Sequence, residues 1–140
     1  MTHKSTFDIQ TPDDFFTKIV VPQYEDFKGD NGSSRKALIA IIVAYHMFDW
    51  ANREKFVDKK SGLPPNINDL FETARKITNG TKHFDQKVVT KMQRGFSSDF
   101  SDDFQRPLII VREAKPELSV DKLLHDMIEY WRKEKAAGKF

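Results

Sequence analysis

Apolar positions recur with helical spacing in four stretches of the chain and alternate in one. The first stripe is Phe15, Phe16, Ile19 and Val20. Thr11 stands where a cap belongs, and Pro12 suits the first helical position because its missing N–H costs nothing there. Asp13 and Asp14 favour the positive helix end. Pro22 breaks or kinks the segment, since it cannot donate and restricts Val21, and Tyr24 and Phe27 continue on a second short piece. A loop by composition, residues 29–34, comes next, with Ser33 or Ser34 placed to cap a helix from about Arg35 to Phe56. Leu38, Ile41, Val43, Met47, Phe48 and Trp50 make this helix apolar nearly all round, which marks it as central and surrounded by other elements. Its β-branched residues allow a strand locally, but its length favours helix.

Residues 58–66, with Gly62, Pro64 and Pro65, read as a loop. Asn66 or Asn68 is placed to cap a third helix through about Thr78, carrying Ile67, Leu70, Phe71, Ala74 and Ile77 on one face. Asn79-Gly80 is expected to stop it, because both residues tolerate the left-handed conformation of helix ends. Beyond His83 the period changes: residues 87–94 partly alternate, and Leu108 to Val111 is a short apolar run. The two are expected to pair as antiparallel strands, with residues 95–107 connecting them. Ser119 then caps a final helix, with Leu118 stapled to Leu123 across it and Val120, Leu123, Leu124, Met127, Ile128 and Trp131 at helical spacing. The pattern predicts a mainly α fold: a four- to five-helix bundle with a small two-stranded antiparallel β-hairpin before the last helix. It forms one domain over residues 1–140, with 1–10 and 133–140 as flexible ends and fraying after Gly138.

Composition narrows the function classes. The chain has 140 residues, 39% hydrophobic and 31% charged, the balance of a soluble globular protein with one core. The net charge of +2 is too small to argue for nucleic-acid or membrane binding. Residues 1–50 carry five basic and seven acidic side chains and residues 51–100 ten and six, so the middle, with Lys82 and Arg94, is the expected anion-facing surface. No cysteine is present, which removes disulfides, thiolate metal sites and a cysteine nucleophile and makes the cytoplasm the default location. Residues 1–10 lack the apolar region of a signal peptide, and residues 37–51 fall short of the roughly 18 apolar residues of a bilayer span, so no membrane association is expected. Gly-rich phosphate loops, nucleophile elbows, HExxH and dinucleotide fingerprints are missing, and no cofactor is expected.

Candidate chemistry gathers in two places. His46 and Asp49 interrupt the central helix three residues apart, with Arg53 four further on. A carboxylate beside an imidazole orients it and raises its pKa, which makes a general base; a hydrogen-bonded pair that fixes helix packing, or a polar edge facing solvent, is the plainer reading. Asn79-Gly80-Thr81-Lys82-His83 offers donors for an anion or phosphate through Asn79, Lys82 and His83, against the plainer reading of a helix end in water. Because buried polar groups need partners, the two clusters are expected to meet in one site. An antiparallel third helix argues against this, since it sets residue 79 near the start of the central helix. His46, Asp49 and His83 would bind a metal only if the fold joined them, and no metal is expected. His125, Asp126 and Glu129 read as a solvated face. Residues 99–103 have the alternating acids of a calcium loop but lack its glycine and final glutamate. Phe96, Phe100 and Phe104 read as a partner-binding face or as anchors of a loop on its own core.

Ala44-Tyr45-His46-Met47-Phe48-Asp49-Trp50 followed by Asn79-Gly80-Thr81-Lys82-His83 resembles uncharacterised bacterial proteins that look related to the HEPN helical superfamily. The resemblance covers residues 35–85. It implies a four- to five-helix bundle, often dimeric, and, in many members, a metal-independent ribonuclease of toxin or phage-defence systems. The superfamily's motif is an Arg, four to six residues, then a His. Here seven residues separate Arg75 from His83, and Asn79 stands four before the histidine. His83 alone matches, with Lys82 or Arg75 as electrophilic help to a scissile phosphate. Two functions compete on these residues: a non-enzymatic interaction or accessory module, with a second copy, a protein or RNA as partner, and the HEPN-like ribonuclease.

Overall fold

A computed structural model describes residues 6–52, 56–84, 88–92 and 107–140. The order is α1 (Pro12–Phe15), a π-helical segment (Phe16–Val20), α2 (Val21–Lys28), α3 (Ser34–Asn52), α4 (Phe56–Lys59), a 3₁₀ turn (Lys60–Gly62), α5 (Pro65–Lys82), β1 (Val89–Met92), β2 (Leu108–Val111), β3 (Leu118–Ser119) and α6 (Val120–Ala136). The protein is mainly α, with a three-stranded antiparallel sheet before the last helix rather than a two-stranded hairpin. β3 is only two residues long and shows no alternation that would announce it. None of the helices among the described residues is long and apolar enough to cross a membrane.

Helix formation follows local chemistry closely at the start of α1. The Thr11 hydroxyl accepts from the Asp14 amide at 3.0 Å, and the Asp14 carboxylate accepts from the Thr11 amide at 3.2 Å, a reciprocal capping box. Pro22 does not end the helix. The Val21 amide reaches back to the Phe16 carbonyl, and this wider π register runs directly into α2. Proline lacks the amide that an α register needs and crowds the carbonyl four residues earlier, so the wide turn ahead of Pro22 removes a conflict.

α3 lies between α5, α6 and the α1–α2 helix. Ala37, Ala40 and Ala44 are buried beside Ile41, Met47 and Phe48, so small side chains let neighbouring helices come close. The helix is not enclosed on every side: Arg35, Ile39, His46 and Asp49 line an exposed stripe. α3 is described to Asn52 and α4 from Phe56, and residues 53–55, within what reads as one helix in the sequence, lie outside the described residues. Phe48 is the hub of the core, with ring centroids 4.4 Å from Phe71, 4.8 Å from Trp131 and 5.1 Å from Phe56. The Trp131 indole donates to the Ala44 carbonyl at 3.0 Å, so its one polar atom is satisfied in the interior.

α5 departs from expectation at both ends. It opens at Pro65 without a side-chain cap, and it runs through Asn79 and Gly80 to Lys82. Gly80 is buried inside α5 and lines a cavity with Ser34, Ala37 and Ile41 of α3, so it continues the helix and does not terminate it. The left-handed residue past the end is Phe84, at φ 53° with its ring exposed. α6 begins as expected, with the Ser119 hydroxyl accepting from Lys122, and Leu118 and Leu123 are both buried. At its far end the chain turns at Gly138 and returns Phe140 to within 5.7 Å of the Phe16 ring and 6.4 Å of Trp131. β2 is the middle strand, pairing Val89 with Val111 and Met92 with Leu108 on one side and Ile110 with Leu118 on the other. Leu108, Ile110 and Leu118 are buried, and β2 and β3 lie against α6. Phe96, Phe100, Phe104, Arg53, Arg94 and the acids of 99–103 lie outside the described residues.

Candidate functional site

The outer face of α5 carries a stripe of polar side chains three or four residues apart: Asp69, Glu72, Arg75, Asn79 and His83. The turn between β2 and β3 faces this stripe with Arg112, Glu113 and Lys115. Between the two walls lies a cleft of about 450 Å³, with Val88 and Val111 closing the strand side. Helical periodicity sets one wall and the β2–β3 connection sets the other, so the cleft exists only because the sheet docks beside α5.

Asp69 ties the walls together. One carboxylate oxygen accepts from Arg112 Nη1 at 2.6 Å and the other from Lys115 Nζ, while Arg112 Nε donates to the Pro116 carbonyl at 3.0 Å. Burial alone would push the Asp69 carboxyl up, but the hydrogen bonds from Lys115 and Arg112 outweigh it and hold the group below the usual carboxylate range. Three residues on, Glu72 grips Arg75 with both oxygens, one contact being Nε to Oε2 at 3.1 Å. That grip holds the Glu72 carboxyl below its ordinary value against the opposing effect of burial, and raises Arg75. The cleft is thus lined by charge but largely neutralised from within.

The sequence candidates separate in space. His46 and Asp49 do pair, at 3.6 Å, but their side chains are 46% and 58% exposed. The expectation of burial fails because the two residues sit on the solvent stripe of α3 with Ile39. Antiparallel packing brings Gly80 and Thr81 to the first turns of α3, and no α3 residue lines the cleft that holds Asn79 and His83. The polar turn foreseen at 79–83 is the last turn of α5, with Asn79 half-buried and Lys82 and His83 exposed. Lys82 lies outside the cleft lining. Among the described residues no three His, Asp or Glu side chains converge as metal ligands, so His46, Asp49 and His83 are not assembled into a set. His125 pairs with Asp126 at 3.1 Å and Glu129 with Arg132 at 2.7 Å on an exposed face, as the helical pattern implies.

Sequence reasoning passed over Asp69, Glu72, Arg112 and Lys115. A signal existed for half of them, since Asp69 and Glu72 share a helical stripe with the basic Arg75. Nothing in the sequence links that stripe to residues more than forty positions away. Compared with family models, with curated proteins and with solved structures, the chain shows no significant match.

Proposed function

We propose that this domain is a non-enzymatic interaction or accessory module, working in the cytoplasm as its cysteine-free composition suggests. One observation carries the reading: the two guanidinium groups that line the cleft are already committed. Arg75 is held by both oxygens of Glu72, and Arg112 is held by Asp69 and Pro116. A cation locked by a carboxylate offers little to a developing phosphorane charge, because the partner cancels its field. His83, the remaining candidate, has no hydrogen-bonded carboxylate or ion-pair partner among the described residues to orient or activate it.

A second reading has its own support. Arg75, Asn79 and His83 stand four apart along α5 and line the same cleft, an arrangement suited to a metal-independent ribonuclease of the HEPN kind if an incoming phosphate displaced Glu72. Incubating the protein with single-stranded and structured RNA in the presence of a chelator separates the two. The module reading expects no cleavage by wild type. Cleavage that disappears in both His83→Ala and Arg75→Ala would replace it with the nuclease.

A further inference from the structure

The turn between α2 and α3 ties this part of the chain to the start of α6. It is closed by the Ser33 amide donating to the Asp30 carbonyl at 3.0 Å, which puts Asn31 and Gly32 at its two central positions. Both residues are partly exposed. The Asn31 side-chain amide donates to Asp121 Oδ1 at 3.2 Å, across 90 residues, in the first turn of α6. A second Asn-Gly pair, Asn79-Gly80, stands inside α5.

We propose that Asn31-Gly32 is a site of covalent modification, deamidation of Asn31, which cuts this tie and turns it into a repulsion. The Gly32 nitrogen attacks Asn31 Cγ and forms a new C–N bond. The bond from Cγ to Nδ2 breaks, and Nδ2 takes the proton lost by Gly32 and departs as ammonia, leaving a five-membered succinimide. Water then opens that ring at either carbonyl, giving aspartate or isoaspartate; nothing is oxidised or reduced. Attacking and attacked atoms belong to adjacent residues, so the closure is intramolecular. Glycine has no side chain to crowd the approach. Closure requires rotation about the Asn31 backbone and side chain. In α5 the same rotation breaks the helical hydrogen-bond ladder around the buried Gly80, and opening a packed helix costs more than opening a turn. The product changes the joint, because a donor is replaced by a carboxylate that faces the Asp121 carboxylate, an attraction made into a like-charge contact. The N-terminal end of α6 favours negative charge, but by less than the loss of a hydrogen bond to a charged group costs. Isoaspartate also inserts a methylene into the main chain between α2 and α3. The modification is independent of what the α5 cleft does.

Ageing the full chain in mildly alkaline buffer at physiological temperature, followed by peptide mapping with mass spectrometry, tests this. Residue 31 is expected to convert from amide to acid, with isoaspartate among the products, at least about tenfold faster than Asn79, which must wait for α5 to open. Gly32 is not among the residues with a left-handed φ, so its backbone accepts alanine. Gly32→Ala crowds the attacking nitrogen and is expected to slow conversion at least about tenfold. Asn31→Asp, which imitates the product, is expected to lower the melting temperature by about 3–8 °C. Adding Asp121→Asn exchanges donor and acceptor and is expected to recover most of that loss. Asn31 that stays intact, or converts no faster than Asn79, overturns the site, as does Gly32→Ala that converts as fast as wild type. Asn31→Asp that melts with the wild type, or a double variant no better than the single one, overturns the untying of α6.

Discussion

The Trp131 slot and the Asp69 clamp both join elements far apart in sequence, yet they hold by opposite physics. Trp131 reaches Ala44 across 87 residues inside a ring of Phe48, Phe71 and Tyr130, fully removed from water. Asp69 reaches Arg112 across 43 residues at a rim, where Asp69 and Lys115 remain partly wet. The first gains from area and is indifferent to pH and salt. The second gains from charge and depends on both. The helical body and the sheet of this protein are therefore expected to respond to different insults.

The largest effect is expected at the slot. Trp131→Ala removes the side chain that packs on α3, α5 and Phe140 and should cost roughly 3–5 kcal/mol, a large share of the roughly 5–15 kcal/mol that holds a domain together. Urea denaturation measures it, and a loss under about 1 kcal/mol would show that the ring cluster relaxes around the hole. Asp69→Ala comes next, at roughly 1–3 kcal/mol, because it strands the mostly buried Arg112 guanidinium without its carboxylate. Its signature is also in pH. The carboxyls of Asp69 and Glu72 are lower folded than unfolded, so the stability they contribute is complete above the unfolded carboxylate range near pH 4 and is lost as pH falls below it. In Asp69→Ala that acid limb should flatten, read as thermal melting between about pH 5 and pH 2. The smallest effect belongs to His46→Ala, within about 0.5 kcal/mol, as for other exposed pairs. A loss of 2 kcal/mol there would reinstate the buried pair that α3's apolar run suggests.

The same contrast explains what could be read from the residues alone. α6 was legible in full up to its last turn, because cap, staple and stripe agree. The pairing of residues near 89–92 with 108–111 was legible from a change of period. Local signals misled at two places: Gly80 looks like a helix stop but lies buried inside α5, and Pro22 looks like a break but is absorbed by a π turn. His46 was misplaced because an apolar neighbourhood in sequence says nothing about which stripe of a helix faces water. Of the residues singled out in the sequence, Arg75, Asn79 and His83 line the cleft and Lys82 does not, while Asp69, Glu72, Arg112 and Lys115 were not singled out. Asp69 and Arg112 meet only through the docking of a sheet whose third strand is two residues long, and such a meeting leaves no local trace.

The hydrogen bond from Trp131 to Ala44 also has a consequence during synthesis. A ribosome adding about 5–20 residues per second takes several seconds to make the stretch between them. Once α3 has left the exit tunnel, Ala44 and Phe48 stay uncovered on the side that α6 will occupy until α6 follows. The nascent chain therefore passes through a sticky, half-walled stage that the finished protein never shows, and slowing translation over residues 60–120 should raise its demand for holding chaperones.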